Sequence, residues 1–205
     1  MDFGNATVFI VDDDDAVRDS LRLLMKSAGF HAVAFESAEA FLGSYDRQQT
    51  GCLVLDIRMP GMSGLELQRE LANRECPLPI IFITAHGDIP MAVEAVRNGA
   101  LDFIQKPFDD KELVGKIQRA LSESLQKQED GLERAEIRRR VNTLTARERE
   151  VMSQVVEGKA NKVIAGDLGV SQRTVEIHRA RVMEKMQAGS LAHLVRMVLI
   201  AEADI

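Results

Sequence analysis

Short apolar runs separated by amphipathic stretches dominate the first half of the chain. The runs lie at residues 8–11, 31–35, 52–55, 80–83 and 103–104. Their length and the turn residues around them are typical of buried parallel strands. Between the runs, apolar residues recur at helical spacing, and Ser37 stands where a helix cap is needed. Five strands alternating with five helices predict an α/β domain built on a doubly wound, five-stranded parallel sheet.

The second half carries a helical pattern without strand signals. Residues 113–141 hold an apolar stripe that predicts a helical linker rather than a flexible one. Four more helices are predicted beyond it, the first opened by the Thr-x-x-Glu capping box of Thr145 and the second capped by Asn161. Two short helices joined through a glycine-containing turn favour a helix-turn-helix. A four-helix packing module with no role on DNA has the same periodicity and stays open as the alternative.

Composition narrows the class of protein. Apolar residues make up 45% of the 205 and charged residues 28%, the balance of an ordinary globular chain. No apolar stretch reaches the roughly 20 residues that a membrane helix needs, so we expect a cytoplasmic protein. Its two cysteines, Cys52 and Cys76, are expected to stay reduced. Residues 1–122 hold 19 acidic and 12 basic side chains, whereas residues 143–200 hold 6 acidic and 9 basic ones, which indicates different partners for the two halves.

Five polar residues come just after predicted strands. They are Asp12, Asp13, Asp56, Thr84 and Lys106. A lone aspartate at such a position is usually a helix cap or a turn residue. The carboxyl ends of parallel strands, however, meet at one edge of a sheet, where functional groups gather. Three carboxylates, a hydroxyl and an ammonium in one crevice predict a site for a hard cation and a phosphoryl group.

The chemistry of such a site requires these residue types. Three neighbouring carboxylates cannot all ionise without a counter-charge, and Mg²⁺ supplies one through oxygen ligands. Asp56 could then attack phosphorus as a nucleophile and form an acyl phosphate. The metal and Lys106 would neutralise the transferring group, while the Thr84 hydroxyl could donate a hydrogen bond to it.

The motifs around these residues resemble a known family. The chain reads VDD at 11–13, DIRMPGMSG at 56–64, TA at 84–85 and KPF at 106–108. In order and spacing these are similar to the receiver domain of two-component response regulators. The resemblance covers residues 5–122, and on it we divide the chain into a receiver domain (1–122), a helical linker (123–142) and a second domain (143–205).

The resemblance implies a role for each site residue. Asp56 would accept a phosphoryl group from a sensor histidine kinase. Asp13 and Asp56 would bind Mg²⁺ directly, Asp12 through water, and the backbone carbonyl of Arg58 would complete the protein ligands; Mn²⁺ could substitute. Thr84 and Phe103 would be the switch residues, with Thr84 moving toward the phosphoryl group. The Lys106–Pro107 bond would be cis, an isomer that costs little only before proline.

The second domain resembles the LuxR-type DNA-binding domain. The similar segments are LTAREREV at 144–151, NKVIA at 161–165 and RTVEIHR at 173–179. With its receiver, the whole chain looks like a NarL/FixJ-class regulator, and HGDIPM at 86–91 makes the FixJ-like branch the most similar. Promoter DNA, RNA polymerase and a second copy of the chain, paired when phosphorylated, are the implied partners.

The resemblance places residues 172–187 in the DNA major groove. Glu176, Ile177 and Ala180 would face bases. Phosphate contacts would come from Lys162, Arg173, Thr174, Arg179, Arg181 and Lys185, and His178 completes the candidate set. Such contacts supply salt-dependent affinity rather than sequence choice. Glu176 could accept a hydrogen bond from a cytosine amine, or it could pair with Arg173 or Arg179 and contact no base.

Two functions from different classes remain. The first is a phosphorylation-switched transcription factor whose only activities are self-catalysed phosphotransfer and slow autodephosphorylation. The second is a phosphohydrolase with an aspartyl nucleophile, since the same carboxylates and metal could serve turnover. Residue 58 is arginine rather than a further acid, and no long substrate loop is evident, which favours the regulator.

Overall fold

The computed structural model describes residues 3–4, 6–47, 49–85 and 89–202. The chain divides into two compact units, Met1–Gln128 and Glu129–Ile205. Each unit is built from its own elements, apart from one long helix that contributes residues to both.

The first unit is a parallel sheet flanked by helices. Its strands are β1 (Thr7–Val11), β2 (His31–Phe35), β3 (Gly51–Asp56), β4 (Ile80–Thr84) and β5 (Asp102–Gln105). Its helices are α1 (Asp15–Ser27), α2 (Ala38–Ser44), α3 (Gly64–Asn73), α4 (Ile89–Arg97) and α5 (Asp110–Asn142). All strands are parallel, in the order β2-β1-β3-β4-β5. The predicted doubly wound, five-stranded sheet is confirmed.

Strand alternation produces two cores, one on each face of the sheet. On one face Phe9, Leu53 and Phe82 pack against side chains of α2, α3 and α4. On the other face Val8 and Ile81 pack against side chains of α1 and α5. Because both faces are covered, every residue of β1, β3 and β4 is buried, which explains the uninterrupted apolar runs of the sequence.

A close approach behind β3 requires glycine at the start of α3. A Cβ atom on Gly64 would lie 2.2 Å from the backbone oxygen of Asp56, and the Gly64 amide donates to the Ile57 oxygen at 3.0 Å. Ser63 and Glu66 then open α3 with a reciprocal capping box. The segment after Asp56 is therefore tied at both ends, which fixes the surroundings of that carboxylate.

The second unit is entirely helical in the part that the structure describes. Its helices after α5 are α6 (Ala146–Val156), α7 (Asn161–Leu168), α8 (Gln172–Met186) and α9 (Leu191–Glu202). The Thr145–Glu148 capping box is present, and the Ser171 side chain caps α8. The core gathers residues from all of these helices, among them Val151, Ile164 and Val175.

The prediction for the start of α7 was wrong. Ala160, not Asn161, is the N-cap residue, and it offers no side-chain hydrogen bond. Asn161 is the first helical residue, and its Oδ1 accepts a hydrogen bond from Arg179 at 2.8 Å. The tertiary contact with α8 therefore replaces the local cap that the sequence suggested.

The predicted linker lies within α5, which runs without a break through residues 123–142. Its early turns belong to the first unit, where Leu113, Ile117 and Leu121 are buried under the sheet. Its last turns belong to the second unit, because Ile137 is part of that core and Arg140 donates to the Met186 oxygen at 3.2 Å. Both cores thus use residues of the same helix. The motif residues 86–88 lie outside the described residues.

Candidate functional site: a phosphoryl-acceptor crevice and a DNA-reading helix

Four of the predicted site residues lie at the carboxyl ends of neighbouring strands. Asp12 follows β1, Asp56 ends β3, Thr84 ends β4, and Lys106 follows β5. These four strands are adjacent in the sheet, so their ends form one edge. The Lys106–Pro107 peptide is cis, as the sequence resemblance implied.

Lys106 bridges two carboxylates across this edge. Its Nζ lies 2.8 Å from Asp12 Oδ2 and 2.9 Å from Asp56 Oδ1. The Asp12 side chain is 2% exposed and that of Asp56 is 12% exposed, so both carboxylates are largely removed from water. The ammonium supplies the counter-charge that two buried carboxylates need.

The remaining carboxylate oxygens are held by backbone amides. Asp56 Oδ2 accepts from the Arg58 amide at 2.7 Å, and Asp12 Oδ1 accepts from the Asp14 amide at 2.9 Å. Each carboxylate thus has one oxygen on Lys106 and the other on the backbone of its own loop. This arrangement fixes the orientation of the Asp56 carboxylate, as a reacting group would require.

Burial raises the pKa of Asp56 above its ordinary value, and the negative charge of Asp12 raises it further. Hydrogen bonding and charge attraction from Lys106 lower it, but they do not outweigh burial. Although burial alone would lower the pKa of Lys106, hydrogen bonds to Asp12 and Asp56 raise it overall. The lysine therefore stays protonated, and Asp56 is more basic than a surface aspartate, which suits a nucleophile.

The donor set fits a hydrated magnesium ion better than a metal held by protein alone. Among the described residues, no group of three or more His, Cys, Asp or Glu side chains is placed to hold a metal ion. Asp12 and Asp56 are close enough to share Lys106, whereas Asp13, which follows Asp12 in the chain, is exposed and is not grouped with them. Mg²⁺ usually takes one or two carboxylates and fills its other positions with water and phosphate oxygens, which these residues allow.

The two predicted switch residues lie beside the crevice. Thr84 is fully buried, and its Oγ1 donates to the Ala85 oxygen at 3.2 Å. The Thr84 carbonyl accepts from the Lys106 amide at 2.8 Å, so the ends of β4 and β5 are joined. Phe103 is partly buried and packs against the core on the α4 side of the sheet.

A second cation lies at this edge that was not predicted from the sequence. Arg18, on α1, donates from Nη1 to the backbone oxygen of Asp12 at 2.7 Å and forms an ion pair with Asp15. The spacing of Asp15 and Arg18 along a helix was the available signal. The contact with the Asp12 carbonyl had none, because it depends on the turn between β1 and α1.

In the second unit, α8 carries most of the predicted DNA contacts. Arg173, Glu176, Ile177, Ala180 and Arg181 are exposed on it. Ile177 is 43% exposed, so its apolar side chain is accessible on this helix. Thr174, His178 and Arg179 are partly buried on the same helix, and Lys162 is exposed on α7.

Several of these side chains already have partners. Glu176 accepts from Arg173 at 3.3 Å, the pairing that was one of its two predicted roles. Arg179 is bound to Asn161, and the Thr174 hydroxyl lies 2.8 Å from that of Ser171. These contacts order the exposed face of α8, and surface pairs of this kind exchange partners at little cost.

Lys185 has a stronger partner than the others. Its Nζ lies 2.6 Å from Oε2 of Glu148 and 3.2 Å from the Thr143 oxygen. Glu148 is 2% exposed. The Lys185 hydrogen bond, together with those from Thr145, lowers the pKa of Glu148 to about 2. The positive charge of Lys185 is thus neutralised inside the domain.

Family comparisons agree with both units. Residues 8–118 match the family described as the response regulator receiver domain, and residues 142–198 match the bacterial regulatory proteins of the luxR family. The chain belongs to the DNA-binding two-component response regulators. The family membership that the sequence motifs predicted is confirmed.

Individual relatives span almost the whole of this response regulator. It is 49% identical to the transcriptional regulatory protein FixJ of Azorhizobium caulinodans, over 95% of this chain and 92% of that protein. It is 51% identical to FixJ of Rhizobium meliloti, over 94% and 95%. The solved structure of the response regulator StyR is 44% identical, with a TM-score of 0.86 over 95% of this chain and 98% of StyR.

Full-length FixJ from B. japonicum is a further structural match, 42% identical with a TM-score of 0.60 over 97% of this chain and 98% of that one. Among the described residues, no helix is both long enough and apolar enough to cross a membrane.

Proposed function

We propose that this response regulator takes a phosphoryl group on Asp56 from a sensor histidine kinase in a Mg²⁺-dependent reaction and then controls transcription. The observation that supports this most is the Lys106 bridge between Asp12 and Asp56. In the reaction an Asp56 oxygen forms a bond to phosphorus while the bond between phosphorus and the kinase histidine nitrogen breaks. The electron pair of the broken bond stays on the histidine nitrogen, and a proton on the other ring nitrogen lets the imidazole leave neutral, while Asp56 becomes an acyl phosphate.

The chain's own residues divide the work of this transfer. Asp13, Asp56 and the Arg58 carbonyl would hold Mg²⁺ directly, and Asp12 would hold it through water; Mn²⁺ could substitute. The bound ion would supply positive charge that neutralises phosphoryl oxygens. Lys106 leaves the Asp56 carboxylate and follows the new negative charge. Thr84 turns its hydroxyl from the Ala85 carbonyl toward a phosphoryl oxygen, and Phe103 adjusts to the space that Thr84 vacates.

The output is tighter binding to promoter DNA by a phosphorylated homodimer. Thr84 ends β4 and Phe103 lies in β5, and both strands contact α4, so movement of these residues would change the surface formed by α4 and β5. A symmetric pair of receivers would bring two α8 helices to half-sites about one DNA turn apart. Once one domain of the dimer has bound its half-site, the other domain meets the second half-site at a raised local concentration. RNA polymerase at the promoter is the downstream partner, in the cytoplasm.

Base and phosphate contacts would come from different residues of α7 and α8. Ile177 and Ala180 offer apolar contacts to base edges, with Glu176 as a candidate acceptor once released from Arg173. Lys162, Arg173, Thr174, Arg179 and Arg181 are the phosphate candidates, with His178 beside them. Lys185 is the weakest of the set, because Glu148 already holds it.

Incorporation of label from a small phosphodonor tests this proposal and separates it from a phosphohydrolase. Acetyl phosphate with Mg²⁺ should label each wild-type chain once, at Asp56, and Asp56→Asn should abolish the label because an amide is a poor nucleophile. Asp13→Ala should remove the Mg²⁺-dependent labelling, because it deletes a direct metal ligand. Lys106→Ala should keep Mg²⁺ binding and lose transfer or signalling.

Two outcomes would reject the regulator. Labelling that persists undiminished in Asp56→Asn would exclude Asp56 as the acceptor. Steady release of phosphate over many turnovers, without accumulation of labelled protein, would favour the hydrolase instead.

A further inference from the structure

Arg18 spans the acidic loop that follows β1. One guanidinium nitrogen donates to the backbone oxygen of Asp12 at 2.7 Å, and the other pairs with the carboxylate of Asp15. The Arg18 side chain is 13% exposed, so the guanidinium is held rather than free in solvent. A rigid fork with several donors is the feature that distinguishes arginine from lysine in such a role.

Asp12 itself is anchored by Lys106 and by the Phe35 oxygen, which accepts from the Asp12 amide at 3.3 Å. Contacts within the loop hold the residues that follow it. The Asp14 amide donates to Asp12 Oδ1 at 2.9 Å, and Asp14 Oδ1 caps α1 by accepting from the Ala16 amide at 2.8 Å. These bonds fix residues next to one another in sequence. Among the described contacts of this loop, Arg18 is the side chain that ties Asp12, at its start, to Asp15, at its end.

Asp13 lies between the tied residues. It is exposed, and its backbone follows Asp12, whose carbonyl is the one that Arg18 holds. The direction of the Asp13 carboxylate therefore depends on the peptide plane that Arg18 fixes. An error of about 1 Å in the placement of a metal ligand or a reacting group is enough to impair a site strongly.

We propose that Arg18 is a positioning residue for the magnesium site. It holds the Asp12–Asp15 loop so that Asp13 and Asp56 can share one ion; this inference rests on the phosphoryl-acceptor function proposed above. Arg18 itself does not contact the ion or the phosphoryl group. It acts through the Asp12 carbonyl.

The sign of the effect separates positioning from simple electrostatics. A positive charge near a cation site weakens cation binding by repulsion. If Arg18 acted only as a charge, removing it would tighten Mg²⁺ binding. If it positions the loop, removing it weakens binding in spite of the lost repulsion.

Mg²⁺ affinity, measured by calorimetric titration of the full chain with MgCl₂ alone, tests the inference. We expect Arg18→Met to weaken binding about tenfold, the size reported generally for losing a residue that orients a metal ligand. Arg18→Lys keeps the charge and one donor, so it should fall between wild type and Arg18→Met. Arg22→Met removes an exposed arginine from the next turn of α1 and should stay within about twofold of wild type, since surface charges act weakly.

A thermal scan without metal accompanies each titration, so that lost folding is not mistaken for lost affinity. If Arg18→Met does not fold, Arg18→Lys decides the matter. Unchanged or tighter Mg²⁺ binding in the folded Arg18 variant would overturn the inference. Absence of Mg²⁺ binding in wild type would instead overturn the metal part of the proposed function, and this inference with it.

Discussion

Each unit contains a lysine bound to a buried carboxylate, and the two contacts have opposite consequences. In the first unit Lys106 is shared between Asp12 and Asp56, and burial still raises the pKa of Asp56. In the second unit Lys185 serves Glu148, and its hydrogen bond, with those from Thr145, lowers the pKa of Glu148 to about 2. The same pair of groups leaves one carboxylate basic and makes the other strongly acidic.

Burial is the largest cause of the difference, because it outweighs the attraction of Lys106 at Asp56, whereas the hydrogen bonds to Glu148 outweigh its burial. The number of partners adds to this difference. Two carboxylates divide one ammonium in the first unit, and the charge of Asp12 also acts against ionisation of Asp56. Glu148 has Lys185 to itself, together with the Thr145 amide at 2.9 Å. An incompletely compensated carboxylate has free energy to gain from a metal ion or a phosphoryl group, whereas a fully compensated one stabilises the fold.

The largest expected effect concerns Glu148. Glu148→Ala should lower the free energy of unfolding of the second unit by about 2–3 kcal/mol, because it removes a capping-box partner and the carboxylate that neutralises Lys185. Glu150→Ala is the matched control: Glu150 lies on the same helix and forms an exposed pair with Arg147, so the loss should stay below about 0.5 kcal/mol. Urea unfolding followed by circular dichroism measures both. Equal losses would contradict the structural role of Glu148.

The contribution of Glu148 should also depend on pH. Its pKa is lowered in the folded protein, to about 2 from an ordinary 4.5. The stabilisation is therefore fully present above the ordinary pKa and is lost as the pH falls from about 5 toward 2. The difference in unfolding free energy between wild type and Glu148→Gln should shrink over that interval. A difference that stays constant from pH 6 to pH 3 would show that ionisation of Glu148 does not matter.

The expected effect of removing the Asp56 charge on the free energy of unfolding is smaller than that of Glu148→Ala and has the opposite sign. Because burial raises the pKa of Asp56, ionised Asp56 destabilises the fold at neutral pH. Asp56→Asn should then raise the free energy of unfolding without Mg²⁺, because it removes a negative charge that burial disfavours. The advantage should shrink as the pH falls through the raised pKa, because wild type is then protonated too. Asp19→Asn, at an exposed site on α1, is the control. Destabilisation by Asp56→Asn would contradict the difference drawn between the Asp56 and Glu148 carboxylates.

The parts of the fold that could be predicted depend on local sequence. Strands β1, β3 and β4 are buried on both faces, so their sequences are uninterrupted apolar runs, and strand-end positions then placed Asp56, Thr84 and Lys106 together. Contacts between distant residues could not be predicted in this way. Lys185 reaches Glu148 across 37 positions, and only the packing of α8 on α6 brings them together.

The same reason explains the error at α7. Local preference favoured Asn161 as a cap, but its amide oxygen binds Arg179, 18 positions away. Lys185 illustrates the reverse case. Its position in a DNA-binding motif predicted a phosphate contact, and its location against Glu148 weakens that prediction without testing it.

The smallest expected effect is on the salt dependence of DNA binding, and it distinguishes Lys162 from Lys185. Binding to a random-sequence duplex is largely electrostatic, and its salt slope counts the phosphates neutralised. Lys162→Gln should reduce the slope by about 1, whereas Lys185→Gln should leave it nearly unchanged because Glu148 already neutralises that lysine. Fluorescence anisotropy at several NaCl concentrations, at a temperature where both variants are folded, measures the slopes. Equal reductions would restore Lys185 as a phosphate contact.

The most direct test of the central claim is the affinity of the full chain for a duplex selected from a random pool, with and without acetyl phosphate and Mg²⁺. We expect phosphorylation to tighten wild-type binding to the duplex at least tenfold and to shift the chain from monomer to dimer in sedimentation. Asp56→Asn should show neither change. Unchanged affinity in a fully phosphorylated wild-type chain, or an equal gain in Asp56→Asn, would contradict the claim that Asp56 controls DNA binding.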